Sequence, residues 1–332
     1  MKKAAIWVAV AGVALILTGC GKSCNVADVP ATVATVNGQG IPASAYLDMT
    51  SRRAGRDVLT SLIEQDIVLK WAKDEGVAPK QDQINKQIEI LKRDGVYDRQ
   101  AKLLGEDAIK SELTAMQARI NLAKKVSKVT DSELKSAYEM MKQRYVHGPR
   151  KYVALIINPD KKMVEDAAKA IKGGKSFDEA SAEYGDKRFS MGGGPIEIWI
   201  AEDQQGMPKE LTDAAKNTKI GEVSKVFSFG QTGMPTNYAI MKVTQSQPKS
   251  DLKLKDVKSE VEDAAALQKS QMDPKFTQEL NDKKKAAKIT IDIPYLQDVA
   301  ATINNPPETS PLAMPSPTPK KVTPKAQKPA KK

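Results

Sequence analysis

Histidine and cysteine are almost missing from this chain: one histidine, His147, and two cysteines, Cys20 and Cys24, in 332 residues. Structural zinc needs three or four nitrogen or sulfur ligands, and a disulfide framework needs several cysteine pairs, so neither is expected. Metal clusters and serine–histidine chemistry are set aside on the same ground. Long apolar runs are scarce too. Residues 4–17 form a run of 14 behind Lys2 and Lys3, whereas a membrane-spanning helix needs about 20, so the run reads as a signal-peptide core. Aromatic residues make up only 5%. The net charge is +11, but Lys2, Lys3 and the six lysines against one glutamate in residues 304–332 account for +7, leaving an ordinary +4. A reader of bases is basic over its folded part, so no nucleic-acid partner is expected.

The two ends carry the first positive signals. Leu17-Thr18-Gly19-Cys20 resembles the bacterial lipoprotein cleavage box. It implies a signal peptide over 1–19, a lipid-bearing Cys20 as the mature N-terminus, and a tether over 20–32 in which Cys24 is a spare thiol. Each buried acyl methylene contributes about 0.8 kcal/mol, so several chains on one cysteine would hold the protein on a membrane. At the other end, prolines at 306, 307, 311, 315, 317, 319, 324 and 329 alternate with lysines. Residues 304–332 read as a disordered, extended arm, reaching on the order of 90 Å at about 3.1 Å per residue. The arm is either a solvated spacer or is drawn to anionic lipid or envelope polymers.

Between the ends, residues 31–36 alternate as an edge strand and Asn37-Gly38 supplies a turn. Ser44 is the candidate N-cap of a following helix. A longer helix carries Val58, Leu59, Leu62, Ile63, Ile67 and Leu69 as a broad apolar stripe and stops at Gly76. Ile84, Ile88 and Leu91 mark the next, Gly95 and Gly105 punctuate two more turns, and Thr130 with Glu133 form a capping box for a helix to Tyr145. Helices return over 254–269 and 274–288, with a strand at 289–293.

Residues 150–247 are organised differently. A strand at 151–157 precedes two helical segments, the run Gly192-Gly193-Gly194 and the stretch Gly206-Met207-Pro208-Lys209-Glu210-Leu211. Ile220-Gly221-Glu222-Val223-Ser224 and a last strand at 238–244 follow. That order resembles the parvulin (PpiC, rotamase) family of peptidyl-prolyl isomerases. Val36-Asn37-Gly38, followed by helices with Leu62-Ile63-Glu64-Gln65, resembles the N-terminal domain of SurA/PrsA-type extracytoplasmic folding factors. The resemblance covers about 33–293 and implies an α+β protein. A helical chaperone domain over 33–148, completed by C-terminal helices over 248–294, would hold an inserted parvulin-like domain over 149–247, a four-stranded sheet wrapped by helices.

Such a site needs no cofactor. The barrier to prolyl isomerisation, about 18–20 kcal/mol, is amide resonance, and a catalyst needs an apolar slot for the ring plus surroundings that favour the twisted amide. By resemblance the slot falls on Ile196, Met207 and Leu211, the last a leucine where the family usually has phenylalanine. On the residues alone, all three read equally as core. The family usually carries one histidine in the first strand and one in the last. Matched to Val153-Ala154-Leu155-Ile156 and Tyr238-Ala239-Ile240-Met241, both positions are alanine, Ala154 and Ala239. The acid of that network falls on Asp186, and Thr232 is the nearest hydroxyl.

Stranding one member of a buried hydrogen-bonded pair costs about 1–3 kcal/mol, whereas replacing both by apolar groups is nearly neutral. The sheet is therefore expected to persist while the electrostatics of an isomerase are lost. Three functions are compatible with these residues. One is a membrane-anchored chaperone for unfolded or nascent exported proteins with prolyl segments. Another is an active isomerase using the slot and Asp186. The third is an envelope-binding lipoprotein using the basic arm.

Overall fold

The computed structural model describes residues 29–189, 194–202, 204, 206–230 and 236–306. The signal peptide, Cys20, Cys24, Thr232 and the arm beyond Pro306 lie outside them. The described chain opens with a hairpin, β1 (Thr32–Val36) and β2 (Gln39–Pro42). Asn37 and Gly38, both at positive φ, make its two-residue turn, the backbone that matches strand twist. Helix α1 (Ala43–Asp74) is one element of 32 residues. Its N-cap is Pro42, without a side-chain cap bond, so Ser44 lies inside the first turn and not at the cap expected for it. Gly76, at φ 70°, ends the helix as expected, and the Val77 N–H returns to Ala72 O at 2.8 Å.

The apolar stripe of α1 is narrower than the sequence suggested. Leu59, Ile63, Ile67 and Leu69 pack inward, but Val58 and Leu62 are exposed, and Val68, Trp71 and Ala72 carry the core instead. Around this helix stand α2 (Gln81–Arg93), α3 (Tyr97–Leu104) and α4 (Glu106–Val126), with Ile84 and Ile88 buried against Ile109 and Leu113. The Thr130–Glu133 capping box forms, with reciprocal bonds of 3.2 and 2.7 Å, and opens α5 (Asp131–Met140). That helix breaks at Met141 before a short α6 (Lys142–Tyr145).

Residues 146–251 depart from this frame and come back to it at one place. β3 (Val146–His147) pairs antiparallel with β8 (Ser250–Asp251). Between them lie β4 (Arg150–Asn158), α7 (Lys161–Lys172), α8 (Phe177–Tyr184), β5 (Ile196–Ala201), α9 (Lys209–Asn217), β6 (Phe227–Phe229) and β7 (Asn237–Gln247). The sheet is antiparallel throughout in the order β5-β4-β7-β6. Helices α7 and α8 cover one face and α9 the other. This is an α+β protein, with a four-stranded sheet wrapped by helices and held in a helical frame.

The chain then returns through α10 (Leu254–Met272) and α11 (Pro274–Ala286). Asp273 caps α11 by accepting from the Lys275 N–H, with Pro274 at the first turn where its missing N–H costs nothing. Phe276 of α11 and Trp71 of α1 meet with ring centroids 5.1 Å apart in the frame's main core. Residues 289–293 do not form the expected strand, because they have no pairing partner among the described residues. Ile289 and Ile291 instead turn their alternation inward against Leu59, Ile63 and the residues of α12 (Asp298–Asn304).

Frame and sheet touch closely. Gly95, at φ 84°, ends α2 where a Cβ would lie 2.8 Å from the Tyr152 ring. The Trp199 Nε1–H donates to Asp94 O at 3.0 Å, and Gln247 Nε2 donates to Arg93 O at 2.6 Å. Arg99 and Lys102 of α3 pair with Glu197 and Asp178.

Candidate functional site

Side chains on a strand alternate between faces, and directly paired residues share one. In β4 and β7 the pairs are Val153 with Val243, Leu155 with Met241, and Ile157 with Ala239. All six belong to the core on the α9 face. The structure brings Ile196, Met207 and Leu211 into that same cluster. Leu211 is buried, while Ile196 and Met207 remain partly open.

Ala239 lies on this face, but Ala154 does not. Ala154 pairs with Glu197 and Lys242 and packs under α7 and α8 with Val164, Phe177 and Ile240. One step along a strand reverses the face, so the two alanine positions matched by resemblance do not share one. The first-strand positions on the α9 face are Val153, Leu155 and Ile157.

Asp186 follows α8 and is tied to the end of the same strand, its N–H donating to Ile157 O at 2.9 Å. Its carboxylate is occupied. It accepts from the Arg188 N–H at 2.9 Å, from Arg188 Nε at 3.0 and 3.1 Å, and from Nη2 at 2.5 Å. These bonds from the Arg188 side chain, then from its backbone, hold Asp186 below the usual carboxylate range. It is therefore an ionised partner of arginine and a poor proton donor at neutral pH. Ser224 is likewise committed, accepting from Met241 N–H at 3.0 Å and donating to Lys225 O at 2.8 Å.

Sequence reasoning overlooked Phe227 and Phe229 of β6. They join the slot-side cluster, with ring centroids 6.3 Å apart and Ser228 turned away. The Phe-Ser-Phe alternation was the available signal. These rings add aromatic surface to the face that holds Leu211. Lys151 closes one end by donating to Lys216 O and Thr218 O at the C-terminus of α9, at 3.0 and 2.7 Å, where a cation meets the negative end of the helix dipole. Among the described residues no group of three or more His, Cys, Asp or Glu is placed to hold a metal.

A four-stranded antiparallel sheet with two helices on one face, one helix on the other, and an apolar cluster beneath that third helix is the arrangement of a parvulin-type domain. Residues 129–259 match the family described as the PPIC-type PPIASE domain. Over 277 residues the chain is 29% identical to the foldase protein PrsA of Bacillus subtilis, covering 81% of this chain and 87% of that one. It is 28% identical over 272 residues to the foldase protein PrsA of Geobacillus kaustophilus, covering 81% and 89%. The crystal structure of PrsA from Bacillus subtilis aligns with a TM-score of 0.32 at 24% identity, over 81% of this chain and 97% of that one. The match over residues 129–259 and the similarity to these foldases support a parvulin-type, PrsA/SurA-like family of peptidyl-prolyl isomerases and foldases.

Proposed function

We propose that this protein is an extracytoplasmic, lipid-anchored folding factor. It holds proline-containing segments of unfolded exported chains on the α9 face of the sheet and contributes little isomerase turnover. One observation carries the reading: the strand residues under the slot, Val153, Leu155, Ile157, Ala239 and Met241, are all apolar. An apolar floor binds the planar and the twisted amide about equally, and uniform binding does not accelerate a reaction. Affinity for prolyl segments can thus outlast catalysis. The foldase relatives support the chaperone half of the reading, and the box ending at Cys20 supports the anchor. The basic arm over 304–332 is assigned a secondary role against anionic envelope polymers.

An active isomerase is the second reading, favoured by the PPIC-type match and by the retained Ile196, Met207 and Leu211. Two readouts on one preparation of the full chain separate them: the rate of prolyl-peptide isomerisation and the suppression of aggregation of an unfolded client. The expected result is suppression with weak or absent turnover. Robust turnover that collapses in Met207→Ala overturns this reading and establishes the second. Failure in both assays transfers the function to envelope binding.

A further inference from the structure

The junction of frame and sheet holds a charge that no described residue neutralises. Arg150 begins β4 and is 8% exposed. Its Nε donates to Gln247 Oε1 at 2.9 Å and its Nη1 to Gln143 O at 3.1 Å, both neutral acceptors. Its guanidinium lies 4.6 Å from the centroid of the Trp199 ring. No carboxylate pairs with it among the described residues. The neighbouring arginines have taken the acids: Arg93 is bound to Glu260, and Arg144 and Arg93 to Asp94. Among the described residues three guanidiniums therefore share two carboxylates, and the surplus charge is that of Arg150. Burial, then Arg93 and Arg144, push its pKa down to about 10, so it stays protonated at neutral pH.

A buried cation without an anion is costly. Here a cavity of about 640 Å³ opens beside it, lined by Arg150, Trp199, Gln204 and Lys249 among others, a size that suits a small ligand. Asp251, the one carboxylate on the wall among the described residues, is matched by Lys253 at 2.6 Å. The wall thus presents a guanidinium fork, an indole face, an amide and an exposed ammonium. One unneutralised buried charge beside an apolar ring matches a singly charged, planar group. Guanidinium binds such a group with two parallel charge-assisted hydrogen bonds.

We infer that the cavity between β3, β4 and β8 is a carboxylate-binding site centred on Arg150, which takes a carboxylate of a peptide chain, either a chain terminus or an Asp or Glu side chain. It lies on the face of the sheet away from the slot, so the inference stands whether or not the slot catalyses. A carboxylate seated there sits against the paired strands that join sheet to frame, and stabilises that junction only while the ligand is bound.

The test titrates three probes into the full chain: Ac-Ala-Ala-Ala with a free carboxylate, the same peptide amidated, and Ac-Ala-Asp-Ala-amide. Inorganic phosphate is the control. Readouts are tryptophan fluorescence, with Trp199→Phe to assign the signal, and the unfolding temperature, which rises with any ligand that binds only the folded state. The expected result is a saturable response to one or both carboxylate probes and none to the amide. Arg150→Gln weakens binding roughly tenfold or more. Lys249→Gln, at an exposed position, leaves the fold intact and weakens binding by about twofold to fivefold. An equal response to acid and amide overturns the inference, as does no saturation, or binding unchanged in Lys249→Gln and in folded Arg150→Gln. Phosphate binding as tightly as the peptides overturns the commitment to carboxylate.

Discussion

Removing Glu260 tests how the frame is held beneath the sheet. Glu260, on α10, accepts from Arg93 Nη1 at 2.9 Å and Nη2 at 2.6 Å, and from the Tyr145 hydroxyl at 3.0 Å. Its side chain is 12% exposed and that of Arg93 36%. Breaking a buried pair by deleting one charge costs about 3–5 kcal/mol. Water reaches Arg93 and recovers part of that, so Glu260→Gln should cost about 2–3 kcal/mol at pH 7. For a folded region of this size the unfolding temperature should fall by roughly 5–8 °C.

The pH dependence supplies the sign. Burial raises the Glu260 pKa, but the Arg93 hydrogen bonds and charge outweigh it, with Tyr145 and Arg144 adding to them, and the net value lies below that of ordinary glutamate. A depressed carboxylate contributes its full stability above the unfolded pKa, about 4.3. That contribution disappears as pH falls through the folded value. Urea unfolding of the parent and Glu260→Gln should therefore differ most at pH 7 and converge as the pH falls below about 4. A gap below about 0.5 kcal/mol at pH 7, the size of an ordinary surface change, refutes the pairing argument. A gap that persists undiminished at pH 3 shows that packing and not charge was lost.

Gly95→Ala combines positive φ with a Cβ 2.8 Å from the Tyr152 ring; a loss of about 1–3 kcal/mol is expected in chemical denaturation, and an unchanged midpoint refutes the close approach. Phe276→Ala empties a fully buried site against Trp71 and should cost about 3–5 kcal/mol, read as a drop in the frame's unfolding midpoint. Cys20→Ser should leave the precursor uncleaved or release the protein from the membrane fraction; a variant that is processed normally and stays bound speaks against lipidation. Residues 150–247 expressed alone should unfold cooperatively, and a random-coil amide spectrum removes the proposal that they form an independent domain.

Much of the architecture was legible because its signals are local. Glycines at positive φ ended helices where Gly76 and Gly95 stand, and the Thr130 capping box is a four-residue interaction read directly from the chain. Strand-length apolar stretches at 151–157 and 238–244 located β4 and β7 to within three residues at each end. What was not legible depends on partners. Residues 289–293 alternate like a strand, yet a strand exists only through pairing, and these isoleucines found a helix face instead. Val58 and Leu62 looked like core until neighbouring helices left that side of α1 uncovered. The phase of β4 was not legible either. Every residue from Tyr152 to Ile157 is apolar and buried, so alternation carries no signal there, and only the register with β7 tells Val153 from Ala154. Ile196, Met207 and Leu211 could be placed on one cluster because the order of turns around them is distinctive, whereas Phe227 and Phe229 occupy a three-residue strand too short to stand out.

The two-residue ladder between β3 and β8 has a further consequence, for ancestry. Because the chain leaves the frame and re-enters it through adjacent antiparallel strands, the ends of the excursion from 148 to 249 already stand side by side. A short turn joining His147 to Ser250 would restore a continuous helical protein without moving α5 or α10. Geometry of that kind allows a gene to gain, lose or exchange the whole sheet as a cassette. It also lets substitutions gather beneath the slot while the frame evolves under its own selection.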